Sequence, residues 1–300
     1  MIYIITTLIL VVLMVILTRH YFLKKEIKST ARQLFELNSD RTSKKINIQF
    51  YDRDMENLGE EINKQIDLTK NAQAEKRSSE NELKQAISYI SHDIRTPLTS
   101  ILGYIQFLES EETPEETKQE YTSIIKNSAK RLKVLLEDFF ELSLIEQVDY
   151  PLKYEKVELN SLALEVLLGF YDEFNQRNLT PDIQTPDGDL FMNADPSAVK
   201  RVIENLTMNA IRYSTGHVTI QLTKENQTVQ LTVSNSVAHL NEQNVSHLFD
   251  RFYKADHTRT GKGTGLGLPI AKGLMEKMNG NLTAELKDNQ IIMRCEWKEF

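Results

Sequence analysis

The sequence predicts a multidomain chain with one N-terminal transmembrane helix, an all-α helical hairpin that forms a dimeric four-helix bundle, and a C-terminal α/β sandwich domain. Three observations predict this fold class. Residues 1–18 carry no charged side chain. Residues 82–149 contain two apolar seams at helical spacing, separated by a short polar loop. Beyond Pro151, helical and strand-like segments occur in separate runs, which is typical of helices packed on one face of a mixed sheet.

The first segment, residues 1–18, has the length and composition of a membrane anchor. As a helix rising about 1.5 Å per residue it reaches about 27 Å, close to the thickness of a bilayer core. Basic side chains follow directly: Arg19, His20, Lys24, Lys25 and Lys28. This flank places the C-terminal side in the cytoplasm. A cleaved signal peptide is the alternative, but it needs a basic stretch before the apolar run and a small-residue cleavage site after it, and neither is present.

No second apolar stretch of that length follows, so we expect a single-pass protein with almost nothing outside the membrane. Its stimulus would arrive through the membrane, a membrane partner or the cytoplasm. The 300 residues carry a net charge of −7 with both signs interspersed, and nothing marks a nucleic-acid binder. A single cysteine, Cys295, excludes an internal disulfide framework.

Residues 19–81 are polar and predict a cytoplasmic linker. We expect helices over about 22–37 and 52–80, around a strand-like segment at 45–50. Residues 52–63 resemble the second helix of HAMP-like signal-relay linkers, and a charged coiled-coil stalk is an equal alternative.

Residues 82–149 predict the helical hairpin. Its two seams consist of Ile87, Ile90, Ile94, Leu98, Ile101, Ile105 and Leu108, and of Ile125, Leu132, Leu135, Phe139, Leu142 and Ile145. The loop at 110–116 contains Pro114, which we place at the first position of the second helix. A hairpin alone covers such stripes poorly, so two chains are expected to pair into a four-helix bundle.

Residues 150–300 predict the α/β sandwich. The expected helices lie near 160–176, 196–213 and 267–278, and the expected strands at 218–223, 229–234, about 282–286 and about 290–296.

The first helix of the hairpin carries SHDIRTPLTS at 91–100. His92 lies about 200° around the helix from Ile90, on the solvent face, and Thr96 lies one turn further on that same face. Histidine is mostly neutral at cytoplasmic pH and can attack a phosphoryl group, while the neighbouring Asp93 can hold its second ring nitrogen. Pro97 weakens the helix just below. By residue type alone, an exposed His–Asp pair is more often ordinary surface.

The motif resembles the phosphoacceptor signature of bacterial two-component sensor histidine kinases. That resemblance implies a membrane-bound homodimer that phosphorylates His92 from ATP and passes the phosphoryl group to a cognate response regulator. It also implies that Asp93 is the general base and that Thr96 positions a water for dephosphorylating the regulator.

A second motif, RVIENLTMNAIRYS at 201–214, places Asn205 and Asn209 on one helix face. Amide oxygens suit Mg²⁺, although such pairs mostly face solvent. The block resembles the asparagine box of the GHKL ATP-binding superfamily. The resemblance implies that Asn209 binds Mg²⁺ with help from Asn205, and that Arg212 and Tyr213 continue the nucleotide site. ATP-hydrolysing relatives have a glutamate at the position of Asn205, so transfer is favoured over hydrolysis.

The glycine run GKGTGLG (261–267) has glycine at every second position and fits neither a dinucleotide fingerprint nor a P-loop. A flexible loop is the simple alternative. The run leads into a predicted helix near Leu268, whose N-terminal amides favour phosphate, so Gly263, Gly265 and Gly267 are candidate nucleotide contacts.

Upstream of the glycine run, LFDRFYKAD at 248–256 resembles the phenylalanine box of the same family. The residues between the two motifs would form a lid over ATP. Arg251 and Lys254 could reach the γ-phosphate, and solvated lid charges are the alternative.

One motif departs from the family pattern. An Asp-x-Gly-x-Gly sequence is usual there, and its aspartate accepts a hydrogen bond from the adenine amino group. This chain reads Asn235-Ser-Val-Ala-His239. Asn235 can still accept, without charge assistance, and we expect a loss of about 1–2 kcal/mol in adenine recognition.

The predicted domains are a transmembrane helix at 1–18, a linker at 19–81, a phosphotransfer domain at 82–149 and an ATP-binding domain at 150–300. The predicted activity is that of an ATP- and Mg²⁺-dependent protein-histidine kinase in the bacterial cell membrane. A pseudokinase or phosphatase scaffold is the alternative, because of the altered box at Asn235. A GHKL ATPase or serine kinase without a histidine acceptor is a second alternative.

Overall fold

The computed structural model describes residues 2–38, 45–49, 52–109, 114–238, 240–254 and 263–299. Several predicted features fall partly outside these ranges: residue 50 of the strand-like segment, residues 110–113 of the hairpin loop, His239, and residues 255–262 of the predicted lid and glycine run. The chain divides into two units, Met1–Gln85 and Ala86–Phe300, and each is described by itself.

The first unit begins with helix α1 (Ile2–Asn38). A stretch of α1 within Ile2–Glu36 has a mean hydropathy of 2.5, is nowhere buried, and is long and apolar enough to cross a membrane. Helix α1 covers both predicted helices, at 1–18 and about 22–37, and also continues through residues 19–21 between them. No proline or glycine interrupts the chain there, so the helix has no reason to end at the basic flank.

The segment at 45–49 forms no strand, contrary to the prediction for 45–50. Side chains satisfy its backbone instead of a neighbouring strand. Asn63 accepts from the Ile46 amide at 2.8 Å and donates to its carbonyl at 2.9 Å. Gln33 makes the same two bonds with Asn47, at 2.9 and 3.1 Å. The alternation of apolar and polar residues therefore reflects the burial of the Ile46 side chain. The backbone of the segment is hydrogen-bonded to side chains and not to a neighbouring strand.

The hairpin consists of helix α2 (Arg53–Leu108), most of whose C-terminal half lies in the second unit, and helix α3 (Glu115–Ile145). Pro97 lies inside α2 without ending it. Pro114 is the N-cap of α3, with extended angles of φ −61° and ψ 149°, and not the first helical residue as predicted. The helix therefore begins at Glu115, whose negative charge suits the helix N-terminus.

The buried stripe of α3 faces the C-terminal domain, which corrects its predicted role. Leu135, Leu142 and Ile145 belong to the same apolar core as the sheet. The stripe that stays exposed on α3 is a different one, formed by Leu136, Phe140 and Leu144. Over the last three turns of α3, the predicted seam therefore packs against the C-terminal domain of the same chain. The spacing of apolar residues shows that a helix stripe is buried, but it does not show which element covers it.

The C-terminal domain contains five helices and seven strands within the described residues. The helices are α4 (Leu159–Gly169), α5 (Tyr171–Gln176), α6 (Pro196–Tyr213), α7 (Glu242–Val245) and α8 (Gly267–Lys277). The strands are β1 (Glu155–Glu158), β2 (Pro181–Gln184), β3 (Phe191–Ala194), β4 (Val218–Glu225), β5 (Thr228–Ser236), β6 (Asn281–Lys287) and β7 (Gln290–Lys298).

Five strands form a mixed sheet in the order β2-β4-β5-β7-β6, in which only β2 and β4 pair in parallel. Strands β1 and β3 form a separate antiparallel pair. Every second residue of β5 is buried, which leaves one sheet face to receive the helices. This arrangement confirms the predicted α/β sandwich of the C-terminal domain.

Helix α6 shows how local sequence sets the frame of the site. Asp195 caps it by accepting from the Ser197 and Ala198 amides at 2.9 and 3.1 Å, and Pro196 follows at the first turn. Its apolar face, with Val202 and Leu206 fully buried, packs in the core. The opposite face is thereby turned towards the cavity described below.

Candidate functional site

His92 lies exposed on α2, with about half of its side chain accessible. Its Nδ1 is 3.3 Å from Asp93 Oδ1. The Thr96 hydroxyl, one turn later, donates to the His92 carbonyl at 3.2 Å. Among the described residues Nε2 of the imidazole has no hydrogen-bond partner, while its other nitrogen faces a carboxylate that can hold an Nδ1 proton.

Lys254 binds the second oxygen of the same carboxylate. Its Nζ donates to Asp93 Oδ2 at 2.7 Å, with both side chains about three-quarters buried. Partial burial acts to raise the pKa of Asp93, but the hydrogen bonds from Lys254 and His92 outweigh it and hold that pKa below its ordinary value. The Lys254 ammonium and the His92 imidazole thus contact the two different oxygens of the Asp93 carboxylate.

A cavity of about 980 Å³ joins this group to the C-terminal domain. His92, Asp93 and Thr96 line it on one side. The other predicted residues that line it are Asn205, Asn209, Arg212, Tyr213, Asn235, Lys254, Gly263, Gly265 and Gly267. We call this space the central cavity. It brings together two motifs that lie more than a hundred residues apart in the sequence.

The asparagine pair on α6 reaches the cavity with unused hydrogen-bonding capacity. Asn205 Nδ2 is buried and has no partner among the described residues. A Cβ at Gly267 would lie 2.9 Å from Asn205 Oδ1, so glycine is required for this close approach. The unpaired amide indicates that a polar group missing from the protein completes the site.

Arg212 is a largely buried cation that forms no ion pair within the described part of the chain. Burial is the main reason that its pKa is lowered from the ordinary value. Its guanidinium lies under the glycine run, since a Cβ at Gly263 would meet Arg212 Nη1 at 2.5 Å. A buried cation without a partner carboxylate is suited to an anionic ligand.

The backbone conformation at position 265 also requires glycine. Its φ is +73°, in the left-handed region, and a Cβ would lie 2.9 Å from Phe252 Cα. Only glycine adopts this conformation without strain. The Phe252 amide also donates to the Gly265 carbonyl at 3.0 Å, which ties the phenylalanine box to the glycine run.

Sequence reasoning missed a buried polar cluster beside the cavity. Asp138 on α3 is 8% exposed and accepts from Arg201 Nη2 and from the Thr264 hydroxyl, each at 2.8 Å. Arg201 also binds Glu141 through Nε at 2.8 Å. The available signal was an aspartate three residues after Leu135, on the stripe that is otherwise apolar.

The structure separates Arg251 from the other predicted site residues. Arg251 does not reach the central cavity and pairs with Glu146 on the hairpin side at 2.6 Å. Asn235 does line the cavity, but it is 4% exposed, and its Nδ2 donates to the Ser236 carbonyl at 3.3 Å.

Two family models match the chain, and together they cover more than half of it. The His Kinase A (phospho-acceptor) domain matches residues 82–148. The histidine kinase-, DNA gyrase B- and HSP90-like ATPase domain matches residues 194–295. The chain belongs to the two-component sensor histidine kinases.

Curated relatives agree with this assignment. The kinase is 28% identical to the sensor histidine kinase YcbM of Bacillus subtilis (strain 168) over 86% of its own length and 85% of the relative. It is 29% identical to the sensor protein VanSC of Enterococcus gallinarum over 90% of its own length and 74% of the relative.

Solved structures share the fold. The Acinetobacter baumannii histidine kinase AdeS aligns with 69% of the kinase and 98% of that chain, at a TM-score of 0.57 and 24% identity. The histidine kinase ThkA, solved in complex with the response regulator protein TrrA, aligns with 77% of the kinase and 66% of that chain, at a TM-score of 0.62 and 24% identity.

The chain is therefore a protein-histidine kinase whose ATPase-type domain uses ATP. The comparisons give no support to the alternative of a non-catalytic scaffold. Helix α1 is long and apolar enough to cross a membrane, which is consistent with a membrane location.

Proposed function

We propose that this kinase transfers the γ-phosphoryl group of ATP to His92 and then to an aspartate of a cognate response regulator. One observation carries the proposal. The central cavity is lined on one side by His92 and Asp93 and on the other by the asparagine pair, Arg212 and the glycine run. A nucleotide bound among the latter residues would present its terminal phosphate to the imidazole within one cavity.

The contacts of His92 define the chemistry. With its Nδ1 proton held towards Asp93 Oδ1, the imidazole presents the Nε2 lone pair for in-line attack on the γ-phosphorus. The new N–P bond forms as the bond from phosphorus to the bridging oxygen of ADP breaks. The positive charge that develops on the ring faces the ionised carboxylate of Asp93, which can accept the Nδ1 proton afterwards. Its lowered pKa keeps Asp93 ionised at neutral pH.

The nucleotide would be held by three kinds of group. Arg212 and Lys254 supply positive charge, and the amides of Gly267 and the following residues form the N-terminal end of α8. The amide oxygens of Asn209 and Asn205 are hard ligands that fit Mg²⁺, which neutralises phosphate charge when bound. Tyr213, partly exposed at the cavity edge, would contact the nucleotide as well. We assign no phosphate contact to Arg251, because it is paired with Glu146 outside the cavity.

Asn205 favours transfer over hydrolysis. An amide at this position cannot take a proton from water as a carboxylate can, so no general base for hydrolysis is provided there. The carboxylate of Asp93 contacts the acceptor His92 itself. Both features favour transfer of the phosphoryl group to the His92 side chain over transfer to water.

The regulator would dock on α2 beside the acceptor. A groove of about 540 Å³ lies there, and its lining includes His92, Thr96, Tyr104 and Phe107. The exposed Thr96 side chain would position a water when the kinase dephosphorylates its regulator. ThkA, which shares this fold, was solved with a response regulator, which supports the same type of partner for this chain.

Dimerisation and membrane insertion complete the proposal. The exposed apolar side chains of α2 and α3, among them Leu98, Leu102 and Phe140, would be buried by a second copy. A single pass through α1 would leave the rest of the chain in the cytoplasm, and a helical rearrangement through residues 19–85 would carry the signal.

The test is a labelling experiment with the full chain in detergent or vesicles. Incubation with γ-labelled ATP and Mg²⁺ should give an acid-labile, base-stable phosphoprotein, which then loses label to a receiver domain. His92→Ala should abolish labelling, whereas the matched control His217→Ala, an exposed histidine in a turn, should retain it. Equal labelling of His92→Ala and wild type would overturn the acceptor assignment. Steady ATP turnover without any phosphoprotein would show a hydrolase instead.

A further inference from the structure

Asn235 is a polar side chain at a core position. On β5 the residues Val229, Leu231, Val233 and Asn235 form the buried row, each no more than 4% exposed. The strand neighbours of Asn235 are Val218 and Ile291, which are also buried. An amide in such a row is costly unless its polar atoms find partners.

The protein itself uses little of the hydrogen-bonding capacity of the Asn235 side chain. An asparagine side chain offers two donors and two acceptor lone pairs. Nδ2 makes one long bond of 3.3 Å to the Ser236 carbonyl, and Oδ1 accepts from none of the described residues. Because Asn235 lines the central cavity, the remaining capacity is available to a ligand there.

Part of the cavity lining on this side is apolar. It includes Val237, Leu240, Met293 and Ile291, the strand neighbour of Asn235, beside the polar Ser214 and Thr215. A flat apolar body with a polar edge fits such a wall, and under the proposed function the purine ring of the nucleotide is that body. Asn235 would then face the substituent at purine C6.

An amide and a carboxylate read that substituent differently. A carboxylate only accepts, so it favours the amino group of a 6-aminopurine and repels the carbonyl of a 6-oxopurine. An amide rotated by half a turn presents either its oxygen or its NH₂. The single bond of 3.3 Å is a weak constraint on that rotation.

We propose that Asn235 widens the base specificity of this kinase, so that 6-oxopurine nucleoside triphosphates serve as phosphoryl donors alongside ATP. The inference rests on the proposed function, because it concerns the donor for the same site. It identifies Asn235 as the residue that sets the choice between amino and oxo groups at C6.

The test compares ATP with inosine triphosphate, which differs at C6 and in the proton on N1. Initial rates of His92 labelling are measured with the full chain, for wild type and for Asn235→Asp, which has nearly the same shape. We expect wild-type kcat/KM for the two donors to agree within about tenfold, and the preference for ATP to rise at least about fivefold in Asn235→Asp. A wild-type preference above tenfold, or a smaller rise in the variant, overturns the inference.

A binding measurement separates this inference from the proposed function. Displacement of a fluorescent ATP analogue by ATP and by inosine triphosphate reports base selection without any transfer. If ATP binds but no donor labels His92, the proposed function fails and the displacement ratio, judged by the same tenfold limit, still decides the role of Asn235. The wild-type comparison needs no variant, so a poorly folded Asn235→Asp leaves the test intact.

Discussion

Asp138 connects the hairpin to the glycine run, and its removal should weaken the C-terminal domain. The carboxylate accepts two hydrogen bonds of 2.8 Å, from Arg201 and from Thr264, and its side chain is 11% exposed. Asp138→Ala deletes both. Arg201 keeps its contacts with Glu141, so no guanidinium is left unpaired.

The magnitude follows from these contacts. Hydrogen bonds to charged groups contribute about 1.5–3 kcal/mol each. We use the lower value because Arg201 stays paired with Glu141 when Asp138 is removed. Two bonds then amount to about 3 kcal/mol of unfolding free energy. For a domain of this size, about 2–4 °C of Tm corresponds to each kcal/mol, so we expect a Tm lower by about 6–12 °C.

The assay is calorimetry of the full chain in detergent, with Glu137→Ala as the matched control. Glu137 neighbours Asp138 on the same helix but forms an exposed pair with Lys133 at 3.5 Å, which contributes about 0.5 kcal/mol or less. A Tm for Asp138→Ala within about 2 °C of that control would refute the reasoning. Thr264→Val removes the bond to Asp138 together with the 3.3 Å bond that the hydroxyl accepts from the Leu266 amide, and should give at least half of the decrease.

Three further changes test other parts of the structure. Gly265→Ala places a Cβ at φ +73° and 2.9 Å from Phe252 Cα, and should cost at least about 1–2 kcal/mol of stability by calorimetry, whereas Gly188→Ala, with open space around it, should cost little. Lys254→Met should lower Tm at neutral pH. Because the folded pKa of Asp93 is lowered, that difference should vanish as pH falls through it, below about 3.8, and a difference that is constant with pH contradicts the pairing. Phe140→Glu, at a side chain 62% exposed, should turn a dimer into a monomer in light scattering, and an unchanged mass would exclude this face from the interface.

Secondary structure was predictable where periodicity is long or capping is explicit. Helix α6 matches the prediction at 196–213, because Asp195 and Pro196 mark its start and its apolar face is regular. Strands β1, β2 and β3 were missed, since each has four residues and too few alternations to detect.

Other errors came from patterns with more than one physical solution. The segment at 45–49 alternates like a strand, yet side chains from two helices satisfy its backbone. The stripe containing Leu135 and Leu142 has bundle spacing, yet it packs on the C-terminal domain of its own chain. In both cases the local pattern shows that certain side chains are buried. Residues distant in the sequence determine what they pack against.

The sequence by itself determined the chemistry available to this kinase. It placed His92 beside Asp93 on an exposed helical face, two asparagines on one face of a helix, and glycines at alternate positions, because each of these arrangements depends on neighbours within a few residues. The tertiary structure alone decided that they share one cavity. The contacts that decide it join Lys254 to Asp93 across 161 positions and Thr264 to Asp138 across 126. Contacts of that range depend on how whole helices pack, which no local pattern encodes.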